Sequence, residues 1–221
     1  MFREGTGAMK VAVDLIMFDL DGTLADTGPD LADSVNYTRA HFQLAPLPEA
    51  LVYAHVGYGV EHLLKHSLPQ QQPFQEVMRV FLERYEEHLL DKTVLYPRVR
   101  DALDYFHDKR RVVVTNKMHR LSVAIIRGLG VEDRFDAILG GDSVSDKKPH
   151  PALLHEALRR FEVPARRALM VGDGNTDVEA GKRAGVVTCG VTYGLGSIKD
   201  LLAAQPDYVI EDLAQLSNYF C

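Results

Sequence analysis

Residues 11–23 read VAVDLIMFDLDGT, and this segment determines the architecture predicted for the whole chain. Its first part is short, apolar and partly β-branched, and it stops abruptly at Asp21-Gly22-Thr23. Such a run is typical of a strand buried on both faces of a parallel sheet and followed by a loop. Gly22 suits a sharp turn after the second aspartate.

The same pattern of an apolar strand ending in polar residues recurs downstream, with amphipathic helical patterns between the strands. Further strands are predicted at residues 111–116, 135–139, 168–173, 186–191 and 208–210. Helices are predicted between them at residues 99–109, 120–129, 151–161, 177–184 and 197–204. This alternation predicts an α/β fold with a doubly wound, Rossmann-like parallel sheet.

One long segment breaks the alternation. Residues 29–88 show helical patterns and no convincing strand, with helices predicted at 29–42, 48–55, 60–66 and 73–90. Proline-containing joints flank it, at Thr27-Gly28-Pro29 and Leu95-Tyr96-Pro97. We interpret the segment as an inserted α-helical cap domain, residues 26–94, on an α/β core domain formed by residues 1–25 and 95–221.

Composition limits the classes of function. A formal net charge of −6 disfavours a nucleic-acid binder, which usually carries a basic excess. The two cysteines, Cys189 and Cys221, are far apart in sequence, which disfavours a disulfide framework or a cysteine zinc site and fits a reducing cytoplasm. Residues 1–10 lack the apolar core of a signal peptide, and the chain has no apolar run of membrane-spanning length. We therefore expect a cytoplasmic protein without nucleic-acid or membrane partners.

Two carboxylates lie at the tip of the first strand, where ligands bind in open α/β sheets. The Asp19 carboxylate is able to attack phosphorus and form an acyl phosphate, which divides a slow hydrolysis into two faster steps. A second carboxyl group at Asp21 is able to protonate the leaving alkoxide and then to deprotonate water. Taken alone, the pair also fits a strand end with a capping aspartate.

Three later loops carry phosphate-binding or metal-binding residue types. Thr115-Asn116 ends a strand and offers groups for phosphoryl oxygens, and the next residue, Lys117, faces either the site or solvent. Lys148, before a helix, suits charge neutralisation at the nucleophile. The two carboxylates of Gly172-Asp173-Gly174-Asn175-Thr176-Asp177 form a hard-oxygen set suited to Mg²⁺. Each loop alone also fits an ordinary turn or helix cap.

Together the four motifs form a specific combination. Asp-x-Asp-Gly-Thr, Thr-Asn, Lys-Pro and Gly-Asp-x-x-x-Asp occur in an order, a spacing and a strand placement that resemble the haloacid dehalogenase superfamily. The resemblance covers about residues 10–210. It implies a phosphatase with an α/β core.

In that superfamily the first aspartate of the first motif is the nucleophile and the second is the general acid/base. The resemblance assigns these roles to Asp19 and Asp21. It implies that the backbone carbonyl of Asp21, rather than its side chain, binds Mg²⁺.

The resemblance also assigns the later motifs. Thr115 and Lys148 contact the phosphoryl group, and Asp173 binds the metal directly. Asp177 supports the metal shell or Lys148. Mg²⁺ is expected to bridge the nucleophile and a phosphate oxygen.

The helical insert resembles the cap of the phosphoglycolate phosphatase-like subfamily. The segment Asp26–Leu31 resembles its entry into the cap, and Val56-Gly57-Tyr58-Gly59 resembles its substrate loop. Arg98 departs from the pattern, because relatives usually have glycine there. A small phosphorylated metabolite is the expected partner of a monomer or homodimer, with 2-phosphoglycolate as the leading candidate. The expected substrate-binding residues are Thr23, Asn116, Gly57, Tyr58 and Gly59.

Other activities on the same fold stay as alternatives. Dehalogenases and phosphonoacetaldehyde hydrolases typically lack a carboxylate at the position of Asp21, which argues against both. A β-phosphoglucomutase-like phosphomutase keeps all four motifs, so the sequence separates it poorly. A non-catalytic binding protein would be expected to have at least one broken motif, and all four are intact.

Two further signals receive a plainer interpretation. His62 and His66 have the four-residue helical spacing of a zinc site, but the sequence offers no evident third ligand, so we interpret them as solvated or core histidines. Residues 190–196 are glycine-rich without a dinucleotide fingerprint, and we predict a loop near the site.

Overall fold

The computed structural model describes residues 10–221. Residues 1–9, which belong to the predicted core segment and to the segment tested for a signal peptide, lie outside the described residues. The strands, in chain order, are β1 (Leu15–Phe18), β2 (Ala25–Asp26), β3 (Val94–Leu95), β4 (Arg110–Val114), β5 (Ala137–Leu139), β6 (Ala168–Gly172), β7 (Val187–Val191) and β8 (Tyr208–Ile210). The helices are α1 (Gly28–His41), α2 (Glu49–Tyr53), α3 (Val60–Ser67), α4 (Phe74–Glu87), α5 (Val99–Tyr105), α6 (His119–Gly128), α7 (Ala152–Phe161), α8 (Asn175–Ala184), α9 (Ile198–Ala203) and α10 (Leu216–Tyr219).

Six strands form one parallel sheet in the order β5-β4-β1-β6-β7-β8. The first strand lies between β4 and β6, and its last residue, Phe18, pairs with Val113 and Val171. The strand order reverses at β1, and ligands bind at the carboxyl edge of such a switch point. The prediction of a doubly wound α/β fold is confirmed.

The two faces of β1 contribute to different apolar clusters. Leu15 and Met17 pack with side chains of α7 and α8, while Ile16 and Phe18 belong to the larger cluster on the opposite face. All four side chains are fully buried. This two-sided burial explains why the segment has no polar alternation, and it fixes the position of the residue that follows the strand.

Helices α1 to α4 lie between β2 and β3, as the helical patterns predict. From the sequence we predict only proline-containing joints where the chain enters and leaves the helical segment. In the structure, β2 and β3 pair at these joints as a short antiparallel ribbon, Ala25 with Leu95 and Asp26 with Val94. The pairing forms because the two connecting segments lie side by side, and no local sequence pattern encodes that placement. The predicted boundaries at residues 26 and 94 fall inside this ribbon, and the division into core and cap domains stays a prediction.

Several helix ends differ from expectation, among them that of α4, which ends at Glu87 rather than residue 90, and that of α2, which ends at Tyr53 rather than residue 55. Helix α5 ends at Tyr105 rather than Lys109, because a turn in which Lys109 N–H donates to the Phe106 carbonyl leads into β4. Helix α8 begins at Asn175 rather than Asp177. Within residues 10–221, none of the helices combines the length and apolar character needed to cross a bilayer.

Candidate active site

Asp19 directly follows β1 at the carboxyl edge of the sheet. Its N–H donates to the Val171 carbonyl at 2.9 Å, which extends the pairing with β6 and fixes the residue. The residue is only 3% exposed. Burial raises the pKa of Asp19 to about 7; Lys148 opposes this, and nearby carboxylates add to it.

Lys148 connects this aspartate to a second one. Its ammonium group lies 3.0 Å from Asp19 Oδ1 and donates to Asp177 Oδ1 at 2.6 Å and to the Val114 carbonyl at 2.7 Å. Burial alone would lower the pKa of Lys148, but the carboxylates of Asp177 and Asp19 outweigh it and raise that pKa. The predicted cation is therefore held charged beside the predicted nucleophile.

Asp173 lies at the end of β6 and is held by the glycine-rich loop. Its Oδ2 accepts hydrogen bonds from the N–H groups of Leu195 at 2.9 Å and Gly196 at 2.8 Å, which confirms the prediction that this loop lies near the site. Thr23 Oγ1 donates to Asp173 Oδ1 at 3.3 Å. Gly22 has φ +82°, and a Cβ there would lie 2.0 Å from Asp173 Oδ2, so glycine is required for this approach.

The carboxylates of Asp19, Asp173 and Asp177 offer oxygens that lie within 4.8 Å of one another. Burial, together with the charges of Asp19 and Asp177, raises the pKa of Asp173 to about 8. Asp19 Oδ1 is buried, and no donor among the described residues meets it at hydrogen-bonding angles, Lys148 included. A compact set of three buried carboxylates offers hard oxygens that fit a divalent cation such as Mg²⁺.

Asp21 points its side chain away from that cluster. Its Oδ1 accepts a hydrogen bond from Thr27 Oγ1 at 2.6 Å and one from Lys117 Nζ at 2.9 Å. The Asp21 carbonyl oxygen accepts no hydrogen bond from residues 10–221, which leaves it free for the metal role that the resemblance implies. Lys117 is 8% exposed, so it faces the site rather than solvent.

Lys117 is the site residue that sequence reasoning did not assign. The signal for it was its place directly after Thr115-Asn116, but its partner Asp21 lies 96 residues earlier. The sequence around Lys117 therefore does not indicate whether its side chain faces the site or solvent.

Thr115 and Asn116 occupy the end of β4 with different surroundings. Thr115 is buried, and it lines a cavity beside Asp21. The Asn116 amide donates to the carbonyls of Gly57 and Lys148 at 2.9 and 2.8 Å, and its oxygen accepts from the Lys148 N–H at 2.8 Å. Asn116 therefore connects the loop of Lys148 with that of Gly57 by hydrogen bonds. The amide nitrogen and the amide oxygen are both already hydrogen-bonded within the protein.

The Gly57-Tyr58-Gly59 loop of the cap segment lies over the strand ends. Tyr58 Oη donates to Asn175 Oδ1 at 2.9 Å, which joins the loop to the start of α8. Both glycines have φ near +90°, in the region that favours glycine. The three residues line small cavities, one of about 40 Å³ that reaches Asp21 and Lys117 and one of about 130 Å³ that reaches Asp19 and Asp173.

The cationic side chains of helices α1, α3 and α4 point away from the two cavities. Arg39 donates to the Ala45 carbonyl, and Arg79 pairs with Glu76 and Glu83 on the surface of α4. Lys65 pairs with Glu61. These side chains are absent from the linings of the two cavities, and Lys117 is the lysine beside Asp21.

Comparison with known proteins gives consistent matches. The family model described as haloacid dehalogenase-like hydrolase matches residues 16–191. A phosphoglycolate phosphatase of Chromobacterium violaceum is 35% identical over 213 residues, covering 92% of this chain and 95% of that protein. One of Haemophilus influenzae is 36% identical over 220 residues, covering 94% and 98%. The crystal structure of a predicted phosphoglycolate phosphatase from Haemophilus somnus aligns with a TM-score of 0.88 at 31% identity, covering 93% of this chain and 96% of that one.

Proposed function

The chain belongs to the haloacid dehalogenase-like hydrolase family and is a phosphoric monoester hydrolase, and from this premise we propose a magnesium-dependent reaction through an aspartyl-phosphate on Asp19. The observation that carries the proposal is the Asp19 carboxylate. It is buried at the end of β1, 3.0 Å from the Lys148 ammonium and close to the carboxylates of Asp173 and Asp177.

The first half of the proposed reaction transfers the phosphoryl group to the protein. An oxygen of Asp19 attacks phosphorus, the ester P–O bond breaks, and the leaving alkoxide takes a proton from the carboxyl group of Asp21. Lys148 holds the nucleophile in place and, with Thr115, faces the transferring phosphoryl oxygens. Thr23 supports Asp173 through its hydroxyl group.

The second half releases the phosphate. The Asp21 carboxylate takes a proton from water as the water oxygen attacks phosphorus, and the bond from Asp19 to phosphorus breaks. Orthophosphate leaves and Asp21 has recovered the proton that it gave to the alkoxide, so the cycle balances. In the chain without substrate the Asp21 carboxylate pairs with Lys117, and the proton is taken up from solvent when the phosphate ester binds.

The oxygen set suits Mg²⁺, which we assign to Asp19, the Asp21 carbonyl and Asp173, with Asp177 in support. When bound, Mg²⁺ neutralises charge and orients the phosphate between nucleophile and leaving group. The raised pKa values of Asp19 and Asp173 support this assignment, because they reflect buried carboxylates whose charges lack a nearby cation sufficient to balance them.

The proposed substrate is a small phosphorylated metabolite, with 2-phosphoglycolate as the leading candidate. Support comes from relatives of that name at 35–36% identity over nearly the whole chain. The small cavities under the Gly57–Gly59 loop favour a substrate of few atoms. Lys117 and the backbone of Gly57 and Gly59 line the cavity beside Asp21, and we propose that they meet a substrate carboxylate. A cytoplasmic location and a monomeric or dimeric state stay predictions.

The nucleophile is tested by Asp19→Asn. We expect magnesium-dependent release of phosphate from p-nitrophenyl phosphate to fall by at least about three orders of magnitude, since the amide cannot form the intermediate. Asp14→Asn, on the same segment but paired with Arg167 outside the site, is the matched control and should keep activity. Retained activity in Asp19→Asn would disprove the assignment.

The substrate is tested separately with a panel of phosphate esters ranked by kcat/KM in the presence of magnesium. We expect 2-phosphoglycolate to rank first. A higher rank for another ester would replace the leading candidate. Isomerisation of a sugar phosphate without net phosphate release would support the phosphomutase alternative.

A further inference from the structure

Three histidines meet at the corner between α2 and α3, outside the acidic cluster. His62 and His66 lie on one face of α3 with ring centroids 4.0 Å apart, and the ring of His55 stacks on His66 at 4.5 Å. One ring nitrogen from each of the three lies within 4.8 Å of the other two. The structure therefore brings a third histidine, His55, to the pair on α3, which the helical spacing of His62 and His66 alone did not indicate.

The chain reversal between α2 and α3 explains this meeting. His55 lies two residues beyond α2, and the Gly57–Gly59 loop then turns the chain so that α3 begins at Val60. The positive φ angles of both glycines produce that turn. Helical spacing alone indicates only the pair on α3, because His55 reaches it through the loop.

The hydrogen bonding of the cluster leaves nitrogen lone pairs available. His66 Nδ1 lies 2.8 Å from the His62 carbonyl oxygen, and because a carbonyl only accepts, this nitrogen carries the proton. The His66 Nε2 lone pair is then free, an arrangement common in histidine ligands whose other nitrogen is held by a carbonyl. Burial and the neighbouring imidazoles lower the pKa values of His55 and His62, which favours the neutral, ligating form.

We propose that His55, His62 and His66 form a binding site for a transition-metal ion, with Zn²⁺ as the committed occupant. Imidazole nitrogens suit Zn²⁺, and a site with three histidines leaves a fourth position for water. Tetrahedral coordination with Zn–N bonds of about 2.0–2.1 Å needs nitrogens roughly 3.4 Å apart, so the stacked rings have to reorient for their lone pairs to converge on one ion. The oxygen-only cluster of Asp19, Asp173 and Asp177 instead suits Mg²⁺, so the two sites select different metals.

The position of the site adds a structural consequence. The Tyr58 ring packs 4.7 Å from the His62 ring, and its hydroxyl group reaches Asn175 at the start of α8. His55 lines the same cavity as Asp21 and Lys117. An ion held by the three imidazoles therefore restrains the loop that lies over the predicted catalytic aspartates.

The test is a calorimetric titration of the full chain with Zn²⁺ in saturating Mg²⁺, which keeps the acidic cluster occupied. We expect one equivalent of Zn²⁺ to bind to the wild-type protein. His62→Gln and, separately, His66→Gln should each weaken binding by at least about tenfold, since even outer-shell changes cost 10–100-fold. Imidazole ¹⁵N resonances of the three histidines should shift on addition of Zn²⁺.

His155→Gln, an exposed histidine on α7, is the matched control and should bind Zn²⁺ like the wild type. Thermal unfolding of each variant checks that it folds, and His66 is exposed, so its substitution leaves the core untouched. The proposal would be overturned if the wild-type protein bound no Zn²⁺ in saturating Mg²⁺. Equal Zn²⁺ affinity in the wild type, His62→Gln and His66→Gln would also overturn it. The readout is binding, so it is independent of the phosphatase proposal.

Discussion

At the scale of single residues, the site contains buried ion pairs that lie close together but share no residue between the Lys148 group and the Lys117 group. Lys148 links Asp19 to Asp177, while Lys117 holds Asp21 on the other side of the strand tip. The second pair has both side chains less than 10% exposed. A buried charge that loses its partner is costly, so we expect each lysine to stabilise the local structure in addition to the role proposed for it in the reaction.

Lys117→Met tests the pair that the sequence did not reveal. We expect the free energy of unfolding to fall by about 3–5 kcal/mol, because the Asp21 carboxylate is left buried without its cation. Equilibrium urea denaturation measures the change.

The double variant Lys117→Met/Asp21→Asn serves as its control. Removing both charges should recover part of the lost stability, since no uncompensated charge stays buried. If the two single effects simply add, Lys117 and Asp21 do not interact and the assignment fails.

At the scale of elements, two joints set how the helical segment meets the sheet. The Gly57–Gly59 loop contacts α8 through Tyr58, and Asn116 at the end of β4 donates to the Gly57 carbonyl. On the other side, the β2–β3 ribbon leads through Tyr96 and Pro97 into α5. The contacts of Tyr58 and Gly57 hold the loop over the strand ends.

Tyr58→Phe tests the loop contact. Removing the hydroxyl group loses one hydrogen bond to Asn175, worth about 0.5–1.5 kcal/mol, so we expect kcat/KM to fall about two- to tenfold. Steady-state kinetics with the best substrate measures it. Tyr37→Phe, an exposed tyrosine on α1, should leave kcat/KM unchanged. An equal loss in both variants would argue against a role for the contact.

Arg98→Gly tests the second joint. Arg98 caps α5 with φ +64°, a conformation that costs a residue with a side chain about 1–2 kcal/mol, and glycine is the residue the resemblance leads us to expect there. We expect a gain of about 0.5–1 kcal/mol in the free energy of unfolding, after the entropy cost of glycine. Urea denaturation again measures it.

Arg98→Ala is the matched control, because it also removes the exposed ion pair with Asp101 but keeps the strained φ. It should not be stabilising. A gain of the same size in alanine would show that the backbone angle is not the cause.

At the scale of the whole molecule, the sheet gathers carboxylates from distant parts of the chain into one buried cluster. Asp19 and Asp173 have folded pKa values of about 7 and 8, above the ordinary 3.8. The unfolded chain therefore releases these protons first as pH rises. Stability from the two groups is present in full below about pH 4 and is lost as pH rises through 7 and 8.

Magnesium should offset this loss, and this is tested by thermal unfolding with and without Mg²⁺. At pH 8 we expect Tm to rise by about 5–10 °C when Mg²⁺ is about a hundredfold above its Kd. At pH 5.5 the rise should be smaller, because protons compete for the same carboxylates.

Sodium chloride at matched ionic strength controls for screening, and Asp173→Asn should reduce the Mg²⁺ effect at pH 8. An equal Tm shift at both pH values would contradict the proposed coupling.

The sequence by itself determined the sheet, the helical insert and the chemical groups at the strand tips. Apolar runs ending in polar residues marked each strand, and the carboxyl ends of parallel strands lie at one edge, so Asp19, Thr115 and Asp173 were predicted to share a site. The family match and the parallel sheet confirm the predicted fold, while the shared site stays a prediction.

Only the tertiary structure decided the contacts between residues that are far apart in sequence, because the periodicity of apolar residues does not encode them. The Lys117–Asp21 pair spans 96 residues, and Asn116 meets Gly57 across 59. His55 joins His62 and His66 only because a loop reverses the chain between two helices, and β2 meets β3 only because two crossings run side by side. The periodicity of apolar residues indicates which face of a helix or strand is buried. The partners in these long-range contacts depend instead on where separate elements lie once the core has packed.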